Sequence, residues 1–395
     1  MPQDKIKEVL TRAVTNVIVK KDLEKLLRSG KKIKLYLGFD PTSSRIHIGN
    51  TVPLLKLKEF QDLGHEVYFL VGSFTALIGD TSDKATGRKA MTQEEIEENF
   101  KTYKAQASKI LDFKKTKIVY NGDWLSKLGF KEILELANKF TVQQMIERDL
   151  YQKRLQEGNP IGLHEFLYPL MQGYDSVALD VDLEIGGNDQ LFNMLAGRTL
   201  QKHFNNKEKY VLTTELIEGL DGRKMSKSYG NTVDISDEPK EIYGKIMSMS
   251  DELIIKYFTV CTRVPMEEVG KWEKEISSGG NPRDAKMALA KEIVRMYHGQ
   301  EAAAEAEMGF VNQFQKGKLP DEIEVFKVKA GEWKLVDLIC ETKLEESKSQ
   351  IRRLIQQGGV KINEAKVADL DATLKIGKEE TLIQVGKRRF GKVVG

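Results

Sequence analysis

The sequence predicts a doubly wound α/β domain with a parallel sheet, then an α-helical domain, then a small α+β domain. Three observations lead there. Apolar runs of strand length alternate with helical periodicities up to about residue 220, the pattern of βαβ units. Residues 235–312 keep helical spacing and show no strand pattern. From Trp333 onward a basic helical stretch is followed by short strand-like runs. The expected boundaries are a Rossmann-like domain at 1–232, with a helical segment inserted at about 80–180, a helical domain at 233–320, a linker at 321–332 and the last domain at 333–395.

In order, residues 1–30 are expected to be helical: Leu10, Val14 and Val17 share a face, and Asp22 to Arg28 before Gly30 reads as a short capped helix. Ile33 to Phe39 is the first strand. A polar loop with Pro41 leads to a helix through Leu54, Leu57 and Phe60 that stops near Gly64. Val67 to Val71 is the second strand, parallel to the first through a right-handed crossover. Gly79 to Arg88 is a polar loop. Thr92 and Glu95 form a capping box for a helix to about Ile110. Lys117 to Tyr120 is a strand, and Trp124 to Arg148 is helical in two pieces broken near Phe140. Gly158-Asn159-Pro160 is a turn, and His164 to Ala178 is an amphipathic helix that Pro169 should kink. Leu183 to Ile185 is a strand ended by Gly186-Gly187, a helix spans Gln190 to His203, and Tyr210 to Ile217 is the last strand of this domain. Ala285 to Tyr297 is the clearest helix of the second domain. Residues 313–332, with Gly317, Pro320 and Gly331, read as a connection.

Hydrophobic residues make up 40% and charged residues 31% of the 395, enough apolar material for a sizeable core. No apolar run approaches the roughly 20 residues of a membrane span. Met1 to Leu10 carries Asp4 and Glu8, unlike a signal or transit peptide. The two cysteines, Cys261 and Cys340, have no metal-type spacing, so a disulfide framework and a cysteine zinc site are not expected. A cytoplasmic protein is the expectation. Net charge is only +3, but residues 341–395 hold 12 Lys or Arg against 8 Asp or Glu. A basic terminus on a near-neutral body points to a polyanionic partner.

Two stretches suggest chemistry. Leu35 to Asn50 runs from a buried strand through a loop into a helix N-terminus, where unpaired N–H groups and the positive dipole end can seat phosphate. His47 adds a donor, and Gly49 removes a Cβ where a flat ring could approach the backbone. Gly222-Arg223-Lys224-Met225-Ser226-Lys227-Ser228 sets two lysines three apart on a loop after a strand. A solvated basic loop is the ordinary reading of such a stretch. Cations on a movable loop are also what phosphoryl or nucleotidyl transfer needs. In the basic tail, Lys348, Arg352 and Arg353 share one helix, and Gly358-Gly359 turns into a strand with Lys361. A basic helix beside a loop suits RNA phosphate contacts.

Together His47-Ile48-Gly49-Asn50 and Lys224-Met225-Ser226-Lys227-Ser228 resemble the two signatures of class I aminoacyl-tRNA synthetases. Tyr36 to Thr42, Tyr168 to Asp175 and Gly186-Gly187-Asn188-Asp189-Gln190 narrow the resemblance to tyrosyl-tRNA synthetases, and Ser347 to Val360 resembles an S4-type RNA-binding domain. The resemblance covers essentially the whole chain. It implies a tyrosine–tRNA ligase that uses ATP with Mg²⁺, holds no structural metal, acts on tRNA(Tyr) and forms a homodimer. Tyr36 and Asp175 match the pair that binds the substrate phenol. Asp80, Tyr168 and Gln172 match the ammonium cradle, and Gln190 matches a further tyrosine-site position. Thr42, His47, Lys224 and Lys227 match the residues that stabilise the leaving phosphates. Gly38, Asp40, Gly49, Asn50, Gly187 and Asp189 match the ATP surroundings, and Lys84 and Arg88 match a loop that closes over pyrophosphate. Lys348, Arg352, Arg353 and Lys361 match RNA contacts.

The sequence departs from the family in three places. Asn50 replaces the second histidine of the first signature. Glu184 stands where many relatives carry glutamine. The lysine loop has the general class I form, which marks a subgroup. Two alternatives stay open: a tryptophanyl-tRNA synthetase, and a non-catalytic RNA-binding relative.

Overall fold

The computed structural model of the chain opens with a helix, α1 (Gln3–Val9), and then a strand, β1 (Val14–Ile18), where continuous helix was expected. Ala13 and Val19 sit in the left-handed region, at φ 54° and 60°, and break the helix on both sides of the strand. β-branched Val14, Val17 and Ile18 then serve strand pairing equally well. The described residues are 3–41, 44–79, 92–225, 229–314, 323–345, 347–386 and 389–395. They form two compact units, Met1–Ala304 and Glu305–Gly395.

The first unit continues with α2 (Lys20–Arg28), β2 (Lys34–Phe39), α3 (Ile48–Asp62) and β3 (Glu66–Val71), as their periodicities predict. Leu54, Leu57 and Phe60 of α3 are fully buried. A short α4 (Thr75–Ile78) follows, then α5 (Gln93–Ala107). Thr92 Oγ1 accepts from Glu95 N at 3.2 Å, and Glu95 Oε2 accepts from Thr92 N at 2.8 Å, the expected capping box.

β4 (Thr116–Tyr120) joins the sheet inside the segment expected as a helical insertion. The stretch expected as two helical pieces, Trp124 to Arg148, holds three short helices, α6 (Gly122–Leu125), α7 (Phe130–Ala137) and α8 (Val142–Ile146), and a further one, α9 (Asp149–Gln156), follows. Gly129, Thr141 and Arg148, each in extended backbone, start the last three. A 3₁₀ turn at Leu163–Leu167 leads into α10 (Tyr168–Leu179). Pro169 therefore lies in the first turn, where no intrahelical N–H is needed, and makes no kink.

β5 (Leu183–Gly187), α11 (Leu191–Asn205) and β6 (Tyr210–Thr214) complete the sheet. Its order is β1-β6-β5-β2-β3-β4. Strands β2 to β6 run parallel, and β1 is antiparallel on the β6 edge. The chain winds from β2 toward β4 on one side and through β5 to β6 on the other. The switch point lies between β2 and β5, where ligands bind in such sheets. α12 (Pro239–Met247), α13 (Ile254–Cys261), α14 (Met266–Ser277) and α15 (Pro282–His298) are the expected helical part. Tyr297 Oη on α15 donates to Thr51 Oγ1 on α3 at 3.0 Å, which braces the helix that starts at His47. α16 (Gln300–Phe314) spans the boundary of the units.

In the second unit, β7 (Val325–Lys327) and the first residues of β8 (Gly331–Lys334) fall where a linker was expected. β7 is a strand because it pairs in parallel with the last strand and sends Phe326 against the core. Then come α17 (Leu335–Glu341), α18 (Lys348–Gln356), β9 (Val360–Ile362), β10 (Ala365–Val367), β11 (Thr373–Ile376), β12 (Thr381–Val385) and β13 (Arg389–Val394). The main sheet has the order β10-β9-β12-β13-β7, and β8 pairs with β11. Leu338, Ile339, Ile351, Ile355, Val360 and Ile383 are fully buried at its centre.

Candidate active site

Two adjoining cavities open at the switch point. The first, about 240 Å³, is lined by Tyr36, Gly38, Asp40, Asn50, Tyr168, Gln172, Asp175, Glu184, Gly186 and Gln190, among others. The second, about 460 Å³, is lined by Gly38, His47, Gly49, Asn50, Gly187, Asp189, Gln190, Lys224 and Met225, among others. Gly38, Asn50, Gly186 and Gln190 border both. Most residues expected at a tyrosine site thus gather in one cavity, and most expected at an ATP site in the other. Asp40, expected near ATP, lines the first cavity instead. Its Oδ2 accepts from Tyr168 Oη and its Oδ1 from Thr75 Oγ1, at 2.8 and 2.7 Å. Thr42, Asp80, Lys84, Arg88 and Lys227 lie outside the described residues.

Asp175 is buried at the floor of the first cavity. Trp124 Nε1 donates to its Oδ1 at 2.8 Å and Asn121 Nδ2 to its Oδ2 at 3.3 Å. Burial pushes this carboxyl well above its usual range, and the two donors pull the other way. The Tyr36 hydroxyl, wholly buried, lies 3.0 Å from Ser176 Oγ. Burial, then the charges of Glu184 and Asp175, push its pKa well up, so it stays a neutral hydroxyl. Gln172 Nε2 donates to Glu184 Oε1 at 3.1 Å, and Asn193 Nδ2 to Gln190 Oε1 at 3.0 Å.

In the second cavity, His47 stands at the N-cap of α3, and its N–H donates to Asn50 Oδ1 at 3.3 Å. A Cβ on Gly49 would lie 3.1 Å from the His47 ring and 3.2 Å from Met225 Sδ, closer than the site allows without movement. The glycine lets the lysine loop approach the helix start. Lys224 pairs with Glu218 across an isolated bridge.

Sequence reasoning missed Asn121, Trp124, Thr75 and Lys209. Lys209 is wholly buried beneath the first cavity, paired with Glu184. The available signal was Glu184 itself: a carboxylate inside a buried strand needs a counter-charge. In the second unit, Arg352 and Arg353 are exposed on α18, and Lys361 is half-buried on β9. Lys348, also exposed, donates to Asp337 at 2.7 Å.

This architecture, with two cavities astride a switch point and a lysine loop reaching a helix start, is that of the class I tRNA synthetases. Residues 28–315 match the family "tRNA synthetases class I (W and Y)". Residues 313–393 match the "Tyrosine--tRNA ligase SYY-like C-terminal domain". The chain is 47% identical to the tyrosine–tRNA ligase of Carboxydothermus hydrogenoformans over 408 residues, covering 100% of this chain and 99% of that one. It is 46% identical to that of Thermotoga maritima, covering 100% and 98%. The chain belongs to the tyrosine–tRNA ligase family. Among solved structures, the fold resembles a C-terminally truncated mitochondrial tyrosyl-tRNA synthetase from Aspergillus nidulans (TM-score 0.65, 23% identity, 77% of this chain and 92% of that one). It also resembles the L-tyrosine complex of tyrosyl-tRNA synthetase from Archaeoglobus fulgidus (TM-score 0.61, 24% identity, 77% and 99%).

Proposed function

We infer that the protein activates L-tyrosine with ATP, as its Mg²⁺ complex, to tyrosyl-adenylate and pyrophosphate, then transfers the tyrosyl group to the terminal adenosine of tRNA(Tyr). The observation that carries the reading is the shared border of the two cavities at Gly38, Asn50, Gly186 and Gln190. A tyrosine in the first cavity would face an α-phosphate in the second across that border.

The carboxylate of tyrosine is already ionised at neutral pH and needs no general base to attack the α-phosphorus. Catalysis is then positioning and charge stabilisation. Tyr36 donates to the substrate phenol oxygen and Asp175 accepts its proton, so phenylalanine would leave both unpaired. Tyr168 and Gln172, with Asp80, hold the ammonium end, and Gln190 takes a further position of the tyrosine site. Gly38, Gly49, Asn50, Gly187 and Asp189 surround the nucleotide, while Asp40 lies in the first cavity. His47 and Lys224, with Thr42 and Lys227, meet charge as it builds on the leaving pyrophosphate, and Lys84 and Arg88 close over it. Arg352, Arg353, Lys348 and Lys361 bind tRNA phosphate.

We keep a Rossmann-like part at 1–232 and a helical part at 233–320, and extend the S4-like part, expected at 333–395, to take in β7 (Val325–Lys327), which pairs in its sheet. A homodimer agrees with five large apolar side chains exposed between residues 130 and 163: Phe130, Leu134, Val142, Leu155 and Leu163. Among the described residues no helix is long and apolar enough to cross a membrane. The composition agrees with a cytoplasmic setting.

The deciding experiment is amino-acid-dependent exchange of pyrophosphate into ATP. Exchange with tyrosine is expected. Exchange with tryptophan alone would sink the reading, and no exchange alongside intact tRNA binding would make the chain a non-catalytic relative.

A further inference from the structure

The Lys209 ammonium is buried without access to water, on the segment leading into β6. Its three donors meet three acceptors: Glu184 on β5, Ser176 Oγ on α10 at 2.7 Å and Met194 O on α11 at 3.1 Å. An ammonium can only donate, so the hydrogen on each of these bonds belongs to Lys209. It is buried because of two glycines. A Cβ on Gly197 would collide with the ammonium, and one on Gly173 would lie 3.1 Å from Gly197 N. Helices α10 and α11 cross closely there and leave a channel for the lysine.

With one side of Ser176 Oγ receiving a hydrogen from Lys209, the Ser176 hydroxyl has its own hydrogen to place. Ser176 is wholly buried, and leaving that donor unpaired is costly. The Tyr36 oxygen, 3.0 Å away, can accept it. Tyr36 must then turn its own hydrogen elsewhere. Glu184 takes it: the Tyr36 hydroxyl is hydrogen-bonded to that carboxylate. Glu184 also accepts from Lys209 on one oxygen and from Gln172 on the other, so it is already well supplied. A ligand phenol oxygen beside Tyr36 can therefore replace Glu184 as the taker of the hydrogen.

We propose that Lys209, acting through Ser176, is a positioning residue that fixes Tyr36 as a hydrogen-bond donor toward the substrate hydroxyl. The order is Lys209 to Ser176, Ser176 to Tyr36, Tyr36 to the ligand phenol oxygen, and the ligand hydroxyl to Asp175. Each bond in the row runs in the same direction, and the row ends on Asp175, a carboxylate of the cavity lining. A ligand hydroxyl completes it; a ligand without one forfeits both the bond from Tyr36 and the bond to Asp175. The arrangement also explains the glutamate at 184: with Lys209 beneath it, a charged side chain is balanced there. The inference rests on tyrosine being the substrate.

The test is pyrophosphate exchange with tyrosine and with phenylalanine, in the unaltered protein and in Ser176→Ala, Lys209→Met and Tyr36→Phe, singly and combined. Ser176→Ala leaves the Lys209–Glu184 pair in place and carries the test if Lys209→Met fails to fold. Each single variant should lose about ten- to a hundredfold in tyrosine-over-phenylalanine preference, mainly through KM for tyrosine. In the Tyr36→Phe background Ser176→Ala should add nothing. An unchanged preference in Ser176→Ala, or a full additive loss in the Tyr36→Phe background, overturns the proposal. No tyrosine-dependent exchange in the unaltered protein would overturn the functional reading instead.

Discussion

His47 is bridged to Asp234, in the segment just beyond the lysine loop. Ile48 N donates to Val233 O at 2.8 Å and Ile235 N to Ile46 O at 3.0 Å, so these two stretches are stitched together on both sides of the bridge. Helix start and lysine loop are therefore brought to the same cavity by backbone bonds. Replacing His47 or Lys224 by alanine should lower the turnover of pyrophosphate exchange by about 10²–10³ while leaving tyrosine binding nearly unaltered. A variant that lost tyrosine binding to the same degree as turnover would remove that group from the phosphate side.

Discrimination at the phenol can be measured one group at a time. Asp175→Asn exchanges a charged acceptor for a neutral one. About ten- to a hundredfold of the preference for tyrosine over phenylalanine should disappear, the size of a hydrogen bond to a charged group. Competition between the two amino acids in adenylate formation reads this directly. Retained preference would place the specificity elsewhere.

The pKa of Asp175 has two consequences with opposite pH trends. Its carboxyl must be ionised to accept from the substrate, and burial raises its pKa. KM for tyrosine should therefore climb as pH falls toward the raised value, at a pH above the ordinary carboxyl range of about 4. Asp175→Asn should flatten that profile. Stability follows the other sign. A carboxyl that holds its proton more tightly folded than unfolded favours the folded chain at low pH, and that contribution is lost as pH rises through the raised value. Above the raised value the asparagine variant should melt higher than the parent, as calorimetry would record.

Recognition of tRNA separates from activation. Arg352→Glu with Arg353→Glu should weaken aminoacylation through KM for tRNA and reduce its sensitivity to salt, with exchange nearly untouched. Lys348→Ala should cost less, because Asp337 already engages that ammonium. Equal loss in both assays would make α18 a structural helix.

The exposed apolar side chains between residues 130 and 163 offer a test of assembly. Phe130→Asp should shift a particle of about twice 44.8 kDa toward the single-chain mass in sedimentation. An unchanged mass would move the interface elsewhere.

How much of this was legible depended on how local each signal was. The β2–α3–β3 unit and the Thr92–Glu95 cap are written in consecutive residues and read correctly. The gathering of Gly38, His47, Gly49, Asn50, Gly187, Asp189 and Lys224 around one cavity was legible too, because they fall in three short stretches. β1 was not, because Val14 and Val17 satisfy either period and only pairing with β6, some two hundred residues later, decides between them. Lys209 carries no local signal of burial. Its meaning comes from Glu184 and Ser176, on neighbouring elements. Trp124 and Asn121 were lost for the same reason: they act on Asp175 from the far side of the pocket wall.

Tyr168, Gln172, Asp175 and Ser176 all ride on α10, within nine consecutive residues. Because Gly173 seats α10 directly on α11, the helix has almost no freedom to slide or roll. On the proposed binding mode, the two ends of the amino acid are gauged by a single stiff ruler. Reshaping the pocket for a tyrosine bearing a larger ring substituent should succeed by trimming β2 or the loop after β4, and fail when it tries to shift the ruler, since both ends would go out of true together.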